Sequence, residues 1–236
     1  MVNVIIDGNN YIMIAMSVAS KNGDLNMTGN ILSSMVNKLK RTFGSSSRYF
    51  VCFDSRGGTS FRKELNPDYK ANRSYDPEKI SVLESVKDIF ESSGFYNMTL
   101  GSCEADDAIY ALCKTLKEYS SDNVNYVVSR DQDMIQIAQA GYADHIWDPS
   151  KKKDMDIPEY SIIDMKALAG DSSDNISGIH GIGPKTALKI INGQKQLTEE
   201  QIVIFESNKK IIDAKLNPNF KENCENMTIS LRRIMN

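Results

Sequence analysis

The sequence predicts an α/β fold with a mostly parallel central sheet flanked by helices, followed by a smaller module of helices alone. Short continuous apolar runs bounded by turn residues predict buried strands, amphipathic helical periods lie between those runs, and the strand pattern stops beyond Pro158.

The first run, Val2 to Ile6, ends at the turn Asp7-Gly8-Asn9-Asn10, and a second, Tyr49 to Phe53, ends at Asp54. Between them Ile31, Leu32, Met35, Val36 and Leu39 recur at helical spacing over Thr28 to Phe43, with Thr28 as the expected N-cap. A further helix starts where Asp76 caps and Pro77 fills the first turn, with Ile80, Leu83, Val86 and Phe90 on its apolar side. Phe95 to Leu100 is expected as a strand, Glu104 to Tyr119 as a helix and Tyr126 to Ser129 as a strand. Strands alternating with helices imply right-handed crossovers and a sheet covered on both faces. The expected division is a core over residues 1–158, with a short helical stretch around 61–93, and a helical module over residues 159–236.

A length of 236 residues allows one substantial core and a second module. With 41% apolar and 25% charged residues, the chain belongs with folded globular proteins rather than disordered ones. No apolar run is long enough to span a bilayer and no export signal opens the chain, so the cytoplasm is the expected compartment. The cysteines Cys52, Cys103, Cys113 and Cys224 lack C-x-x-C spacing, and His145 and His180 have no partners at ligand spacing, which excludes a zinc site and a disulfide framework. Any chemistry must therefore use carboxylates.

Asp7, Asp54 and the pair Asp131 and Asp133 each follow the carboxyl end of an expected strand, while Glu104, Asp106 and Asp107 open a helix. Sites in open α/β sheets lie outside the carboxyl ends of the strands, so these residues are expected to converge. Each one alone is an ordinary turn or helix-start residue. Together they are costly, since two like charges about 4 Å apart repel by about 4 kcal/mol at an effective dielectric near 20. Cations or protons must offset that repulsion, and oxygen ligands without sulfur or imidazole select magnesium, with manganese as a substitute. Two such ions about 4 Å apart serve phosphodiester hydrolysis. Asp106 lies about 200° around the helix from Glu104, so both can serve one site only if the helix N-terminus points at the ions.

The net charge of −3 argues against a phosphate-binding surface only on average. With Asp171 and Asp174 added to the seven acids above and all nine set aside, 28 basic residues face 22 acidic ones. Gly181-Ile182-Gly183-Pro184-Lys185-Thr186-Ala187 has glycines for a tight turn, a proline suited to the first helical position, and a lysine and threonine where a phosphate would meet the helix N-terminus. The stretch resembles a helix-hairpin-helix motif, which grips the nucleic-acid backbone without reading bases.

In this order, Asp7-Gly-Asn-Asn, Phe53-Asp54, Phe61-Arg62, Tyr69-Lys70-Ala71-Asn72-Arg73, Glu104-Ala-Asp-Asp107, Ser129-Arg-Asp131-Gln-Asp133 and Gly170 through Ala187 resemble the bacterial and bacteriophage 5′-nucleases, the flap endonucleases, over residues 2 to about 192. The resemblance implies a PIN-like or Rossmann-like nuclease core and a helix-3-turn-helix module with its hairpin at 171–192. It also implies flap endonuclease and 5′-3′ exonuclease activity on branched, nicked or primer-bearing duplex DNA, including RNA–DNA hybrids, in replication and repair. Asp7, Asp54, Glu104 and Asp106, with Asp107 nearby, resemble ligands of a first metal ion, and Asp131, Asp133, Asp171 and Asp174 those around a second. Lys70 and Arg73 match a basic pair contacting the scissile phosphate, with Arg62 and Tyr69 as further DNA contacts and Tyr69 able to stack on a base. Gly181, Gly183, Lys185 and Thr186 resemble a potassium-assisted contact to the duplex.

Only 33 residues separate Lys70 from Glu104, which implies a shorter arch than in larger phage members. With nothing following the nuclease region, a free-standing monomer is expected rather than a polymerase-linked form. A PIN-type ribonuclease would share the acidic sheet but not need the hairpin. A DNA-binding protein with a dead metal site would not need carboxylates at every matched position.

Overall fold

The computed structural model describes residues 1–74 and 76–235, and these fall into two compact units. The first comprises Met1–Gly58, Asp76–Met155 and Lys221–Asn236, and the second Thr59–Tyr75 and Asp156–Phe220.

The first unit is built on β1 (Val2–Asp7), β2 (Arg48–Cys52), β3 (Tyr96–Asn97), β4 (Val124–Val128), β5 (His145–Asp148) and β6 (Lys153–Asp154), in the sheet order β3-β2-β1-β4-β5-β6. Neighbours are parallel except β6, which runs antiparallel to β5. β1 is central, with Ile5 opposite Phe50 on one side and Val127 on the other. Val4, Ile5 and Ile6 are fully buried, because a strand covered on both faces has no polar side to present. The helices of this unit are α1 (Gly8–Lys21), α2 (Thr28–Phe43), then α4 (Pro77–Val86), α5 (Asp88–Ser92), α6 (Ala105–Tyr119), α7 (Ile135–Gln139) and α11 (Phe220–Met235), where α3 falls in the other unit. One core cluster joins Ile12, Met16, Leu32, Val36, Phe90 and Phe95 to the sheet residues Val4, Ile6 and Val51.

The second unit comprises α3 (Ser60–Leu65), α8 (Ile162–Ala169), a two-stranded antiparallel ribbon of β7 (Gly170–Asp171) and β8 (Ile176–Ser177), α9 (Pro184–Ile191) and α10 (Glu199–Ile212). Its core forms around Ala167, Ile176 and Ile211, and a second cluster joins Leu168, Ile179, Ile182 and Ala187. No helix among the described residues is long and apolar enough to cross a membrane.

Several elements depart from the sequence reading for local reasons. Thr28 is the first helical residue of α2 rather than its cap, and its hydroxyl donates to the Leu25 carbonyl. The strand expected over Phe95 to Leu100 pairs only at Tyr96 and Asn97, because Thr99 instead accepts the Phe53 N–H through its hydroxyl. The helix starting at Pro77 breaks at Lys87 into α4 and α5. The units part at Met155–Asp156, near the expected break at 158, but two other segments lie outside the expected ranges. Residues 66–74 belong with the helical unit, where Asn72 Nδ2 donates to the Ser172 carbonyl and Asn175 Nδ2 to that of Asp68. The final helix from Lys221 belongs with the sheet unit, with Met227 and Leu231 buried and Asn223 Nδ2 3.6 Å from Cys103 Sγ.

At the amino ends of the strands a buried polar network fixes the alignment of β1 with β4. Asn3 Nδ2 donates to Asn125 Oδ1 at 2.7 Å, and Asn125 Nδ2 donates to the carbonyls of Cys113 and Tyr142 at 3.1 and 2.8 Å. Arg48 closes the network on Asn3 Oδ1 and Asn123 Oδ1. Asn125→Leu strands one donor and two acceptors out of water, so it lowers the unfolding free energy by about 3 kcal/mol in urea titration, a loss that Asn125→Asp only partly reproduces.

Candidate active site

Three adjacent strands deliver carboxylates at their carboxyl ends. Asp7 is the last residue of β1 and also the N-cap of α1, with Oδ1 accepting from the Asn10 N–H at 3.0 Å. Its Oδ2 accepts from Ser129 Oγ at 3.0 Å, one residue beyond β4. Ser129 Oγ in turn accepts from the Asp131 N–H at 3.0 Å, so one hydroxyl ties the turn after β1 to the turn after β4. Asn10 Oδ1 adds a second tie by accepting from the Arg130 N–H. Asp131 caps the short turn that follows, its Oδ1 accepting from the Asp133 N–H at 2.9 Å.

Asp54, beyond β2, is held from two sides. Its Oδ1 accepts from the Ala105 N–H at 2.8 Å and its Oδ2 from Asn9 Nδ2 at 2.6 Å. Ala105 is the first residue of α6 and Glu104 its N-cap, so the amino end of that helix is directed at the Asp54 carboxylate. This is the orientation that a shared role for Glu104 and Asp106 requires. Glu104 and Asp107 are buried.

Two glycines let these turns approach closely. A Cβ on Gly8 would stand 2.3 Å from the Phe53 ring, and one on Gly58 would stand 2.6 Å from the Cys103 carbonyl, where Ser55 Oγ also donates.

The electrostatics follow from this placement. Burial pushes the Asp7 carboxyl up from 3.8 to about 7; the Asn10 N–H opposes that, the charges of Asp54 and Asp131 add to it, and the Ser129 hydroxyl pulls the other way. Asp7, Asp54 and Asp131 are thus within electrostatic reach of one another. Among the described residues, however, no three His, Cys, Asp or Glu side chains stand as close as a preformed metal shell requires. Asp7, Asp54 and Asp131 accept from N–H and O–H donors, which offset part of their charge. The donor set still suits a hard divalent ion: it consists of carboxylate, amide and hydroxyl oxygens, and Asn9 Oδ1, beside Asp54, is buried without a hydrogen-bond partner. Burial raises the neighbouring Cys52 thiol well above its ordinary value, which removes it as a soft ligand.

The remaining expected site residues lie in the helical unit. Asp171 accepts from Lys166 Nζ at 2.7 Å and from the N–H and Oγ of Ser173 at 2.8 and 2.6 Å. Burial works to raise its pKa, but Lys166 and Ser173 prevail and hold it below the usual carboxylate range. Asp174 accepts from Arg73 Nη2 at 2.7 Å and from Tyr69 Oη at 3.0 Å, with Lys70 Nζ 3.8 Å away. Lys70 adopts φ 57°, and its N–H donates to the Asp174 carbonyl. Two acids expected as metal ligands therefore anchor cations in this structure, and Lys70 and Arg73 are set in place by one of them.

Two expected DNA contacts are corrected. Tyr69 is 3% exposed, packed among Ala167, Ile176, Ile211 and Ile212, so its ring is core and cannot stack on a base. Arg62 is 4% exposed and donates from Nε to the Ile211 carbonyl, since a buried guanidinium must find acceptors inside the fold. The stretch expected as a helix-hairpin-helix over 171–192 in a module of helices alone instead begins with the β7–β8 ribbon, and only the glycine turn and the second helix follow as expected. Gly181 takes φ 75°, Gly183 caps α9, Pro184 fills its first turn, and Lys185 is exposed, with Thr186 half-buried behind it. Sequence reasoning gave no role to Asn9, Asn10 or Ser129, although each follows a strand end as a short polar residue, which is the available signal.

Comparison with known proteins places the chain. Residues 2–161 match the family model of the 5′-3′ exonuclease N-terminal resolvase-like domain, and residues 157–235 that of the 5′-3′ exonuclease C-terminal SAM fold. A 5′-3′ exonuclease of Mycoplasmopsis pulmonis is 34% identical over 67% of this chain and 54% of its own length. The flap endonuclease Xni of Shewanella denitrificans is 31% identical over 80% of this chain and 76% of its own length. DNA polymerase I of Lactococcus lactis is 34% identical over 68% of this chain, which spans 19% of that longer protein. The chain thus covers about half or less of the first curated relatives it matches. The solved T5 5′-exonuclease with bound zinc ions shares the fold, with a TM-score of 0.68 at 17% identity over 100% of this chain and 98% of that one. With both family models matched in order along the chain, it belongs to the 5′-3′ exonuclease family.

Proposed function

We propose that this chain is a metal-dependent, structure-specific 5′ nuclease that hydrolyses phosphodiester bonds near the 5′ end of flapped, nicked or primer-bearing duplex DNA, including RNA primers, in replication and repair. The observation that carries the reading is the delivery of Asp7, Asp54 and Asp131 to the carboxyl ends of three adjacent strands, with Asp7 buried. A relative named flap endonuclease and a fold shared with a metal-bound phage exonuclease support it.

Asp7, Asp54, Glu104, Asp106, Asp107, Asp131 and Asp133 would hold magnesium or manganese. When bound, divalent ions supply a water activated for attack and neutralise charge gathering on the phosphate. Ser129 orients Asp7 and Asp131 together, and Asn9 and the Ala105 N–H orient Asp54. In the helical unit Asp174 fixes Lys70 and Arg73 as a rigid pair of cations suited to a phosphate, and we assign it that positioning role. The hairpin at Gly181 and Gly183, with Lys185, Thr186 and a bound potassium ion, would grip duplex backbone. A monomer suffices for all of this.

The test is magnesium-dependent cleavage of a labelled 5′-flap duplex. Asp131→Asn reduces the cleavage rate at least about a hundredfold while flap binding in calcium stays within about threefold of the parent, and equal loss of both would overturn the assignment. Lys70→Ala slows single-turnover cleavage about ten- to a hundredfold, and a change in affinity alone would refute a role at the scissile phosphate.

Asp7 gives a separate prediction in the absence of metal. A carboxyl raised from 3.8 to about 7 favours folding when neutral; that contribution is full below the lower value and lost as pH rises through the upper one. Asp7→Asn removes the titration, so in chelator at pH near 8 its thermal midpoint rises by several degrees, while magnesium no longer stabilises the protein. An unchanged midpoint at both acidic and basic pH would contradict the buried charge.

A further inference from the structure

The sheet unit holds a half-open cavity of about 360 Å³ lined by α1, α2 and the end of β5. That volume falls within the usual range for ligand pockets. Its walls are Tyr11, Met35, Leu39 and Trp147, and Lys38 and Lys152 also line it. The two hydroxyls on the lining are already committed inward, Tyr11 Oη donating to the Met35 carbonyl and Thr42 Oγ1 to that of Lys38. Neither is left to donate to the polar edge of a nucleobase, so the cavity favours an apolar body.

The lysines carry the opposite preference. Neither Lys38 nor Lys152 has an acidic partner among the described residues. Asp148, the acid in the same turn, is occupied by the N–H groups of Ser150 and Lys151 at 2.8 and 3.2 Å and by Lys151 Nζ at 3.5 Å. Contact with Lys152, and then its charge, pull the Lys38 ammonium below its ordinary pKa, with Arg41 adding to the same effect. Lys152 moreover takes φ 56°, a region that lysine enters at a cost and glycine or asparagine enter more readily. Two cations lining one apolar cavity without acidic partners suit an occupant that carries an anionic group.

We infer that this cavity binds the C-terminus of an acidic partner peptide, the terminal apolar side chain entering between Tyr11 and Trp147 and the α-carboxylate lying between Lys38 and Lys152. Upstream acidic residues would meet Arg41. Charge complementarity with Lys38, Lys152 and Arg41 calls for an acidic occupant and the apolar walls for a hydrophobic terminal side chain, and competition by an oligonucleotide separates this occupant from nucleic acid. The inference does not rest on the nuclease reading, and its test needs neither metal nor cleavage.

Trp147 is the single tryptophan of the chain and lines the cavity, so it reports occupancy directly. The probe is an N-terminally fluorescein-labelled pentapeptide of three aspartates, a glycine and a C-terminal phenylalanine, followed by anisotropy, with the unlabelled peptide followed by Trp147 emission. Saturable binding is expected in both, weakened at least about tenfold by amidating the terminal carboxyl and by either Lys38→Glu or Lys152→Glu, at unchanged circular dichroism and thermal midpoint. Absence of saturable anisotropy, equal affinity for the amide, insensitivity to both lysine changes, or displacement of the peptide by a thymidine oligonucleotide at lower concentration would each overturn it.

Discussion

Asp7 places a carboxylate at the end of the central, fully buried strand, where water cannot solvate it, and the surrounding turns are arranged around that charge. Ser129, the Asn10 N–H and the helix turn it caps supply the hydrogen bonds that let it remain there. The same bonds set the geometry of neighbouring residues. Ser129 also receives the Asp131 N–H, Asn10 receives the Arg130 N–H, and Gly8 must lack a side chain for the Phe53 ring to close over the turn. A group whose burial costs the fold stability near neutral pH is therefore also the one that organises three strand ends, a trade common at functional sites.

The helical unit handles charge by the opposite means. Asp171 and Asp174 are met by lysine and arginine, so their charges are balanced without metal, and the chain from Asn66 to Arg73 is tied to the β7–β8 turn by side-chain bonds at Asn72 and Asn175. Tyr69 shows how such a tie mixes roles: its hydroxyl serves Asp174 while its ring fills the core. A basic, aromatic stretch that reads as a nucleic-acid contact is, for its aromatic residue and for Arg62, internal architecture. Lys70 and Arg73 are turned onto Asp174.

The cavity beneath Trp147 is chemically distinct from both regions. Its lysines lack acidic partners among the described residues and its walls are apolar, whereas the acidic turns are rich in hydrogen-bond donors directed at carboxylates. β5, which pairs with β4, and its hairpin to β6 form one edge of the sheet, and the cavity lies against that edge.

The sequence by itself determined the parallel sheet, since apolar runs such as Val2 to Ile6 leave no polar face for solvent, and it determined that carboxylates end those strands. It also placed the glycine turn, because Gly181, Gly183 and Pro184 have backbone preferences that act locally. Only the tertiary structure decided that Ser129 bridges Asp7 and Asp131, that Asn9 holds Asp54, and that Tyr69 and Arg62 face inward. Those facts depend on pairs of residues far apart in the chain, 122 positions for Ser129 and Asp7 and 149 for Arg62 and Ile211, and no periodicity or short motif encodes which distant partner a polar side chain will meet. The site's acidic character was local information, and its wiring was not.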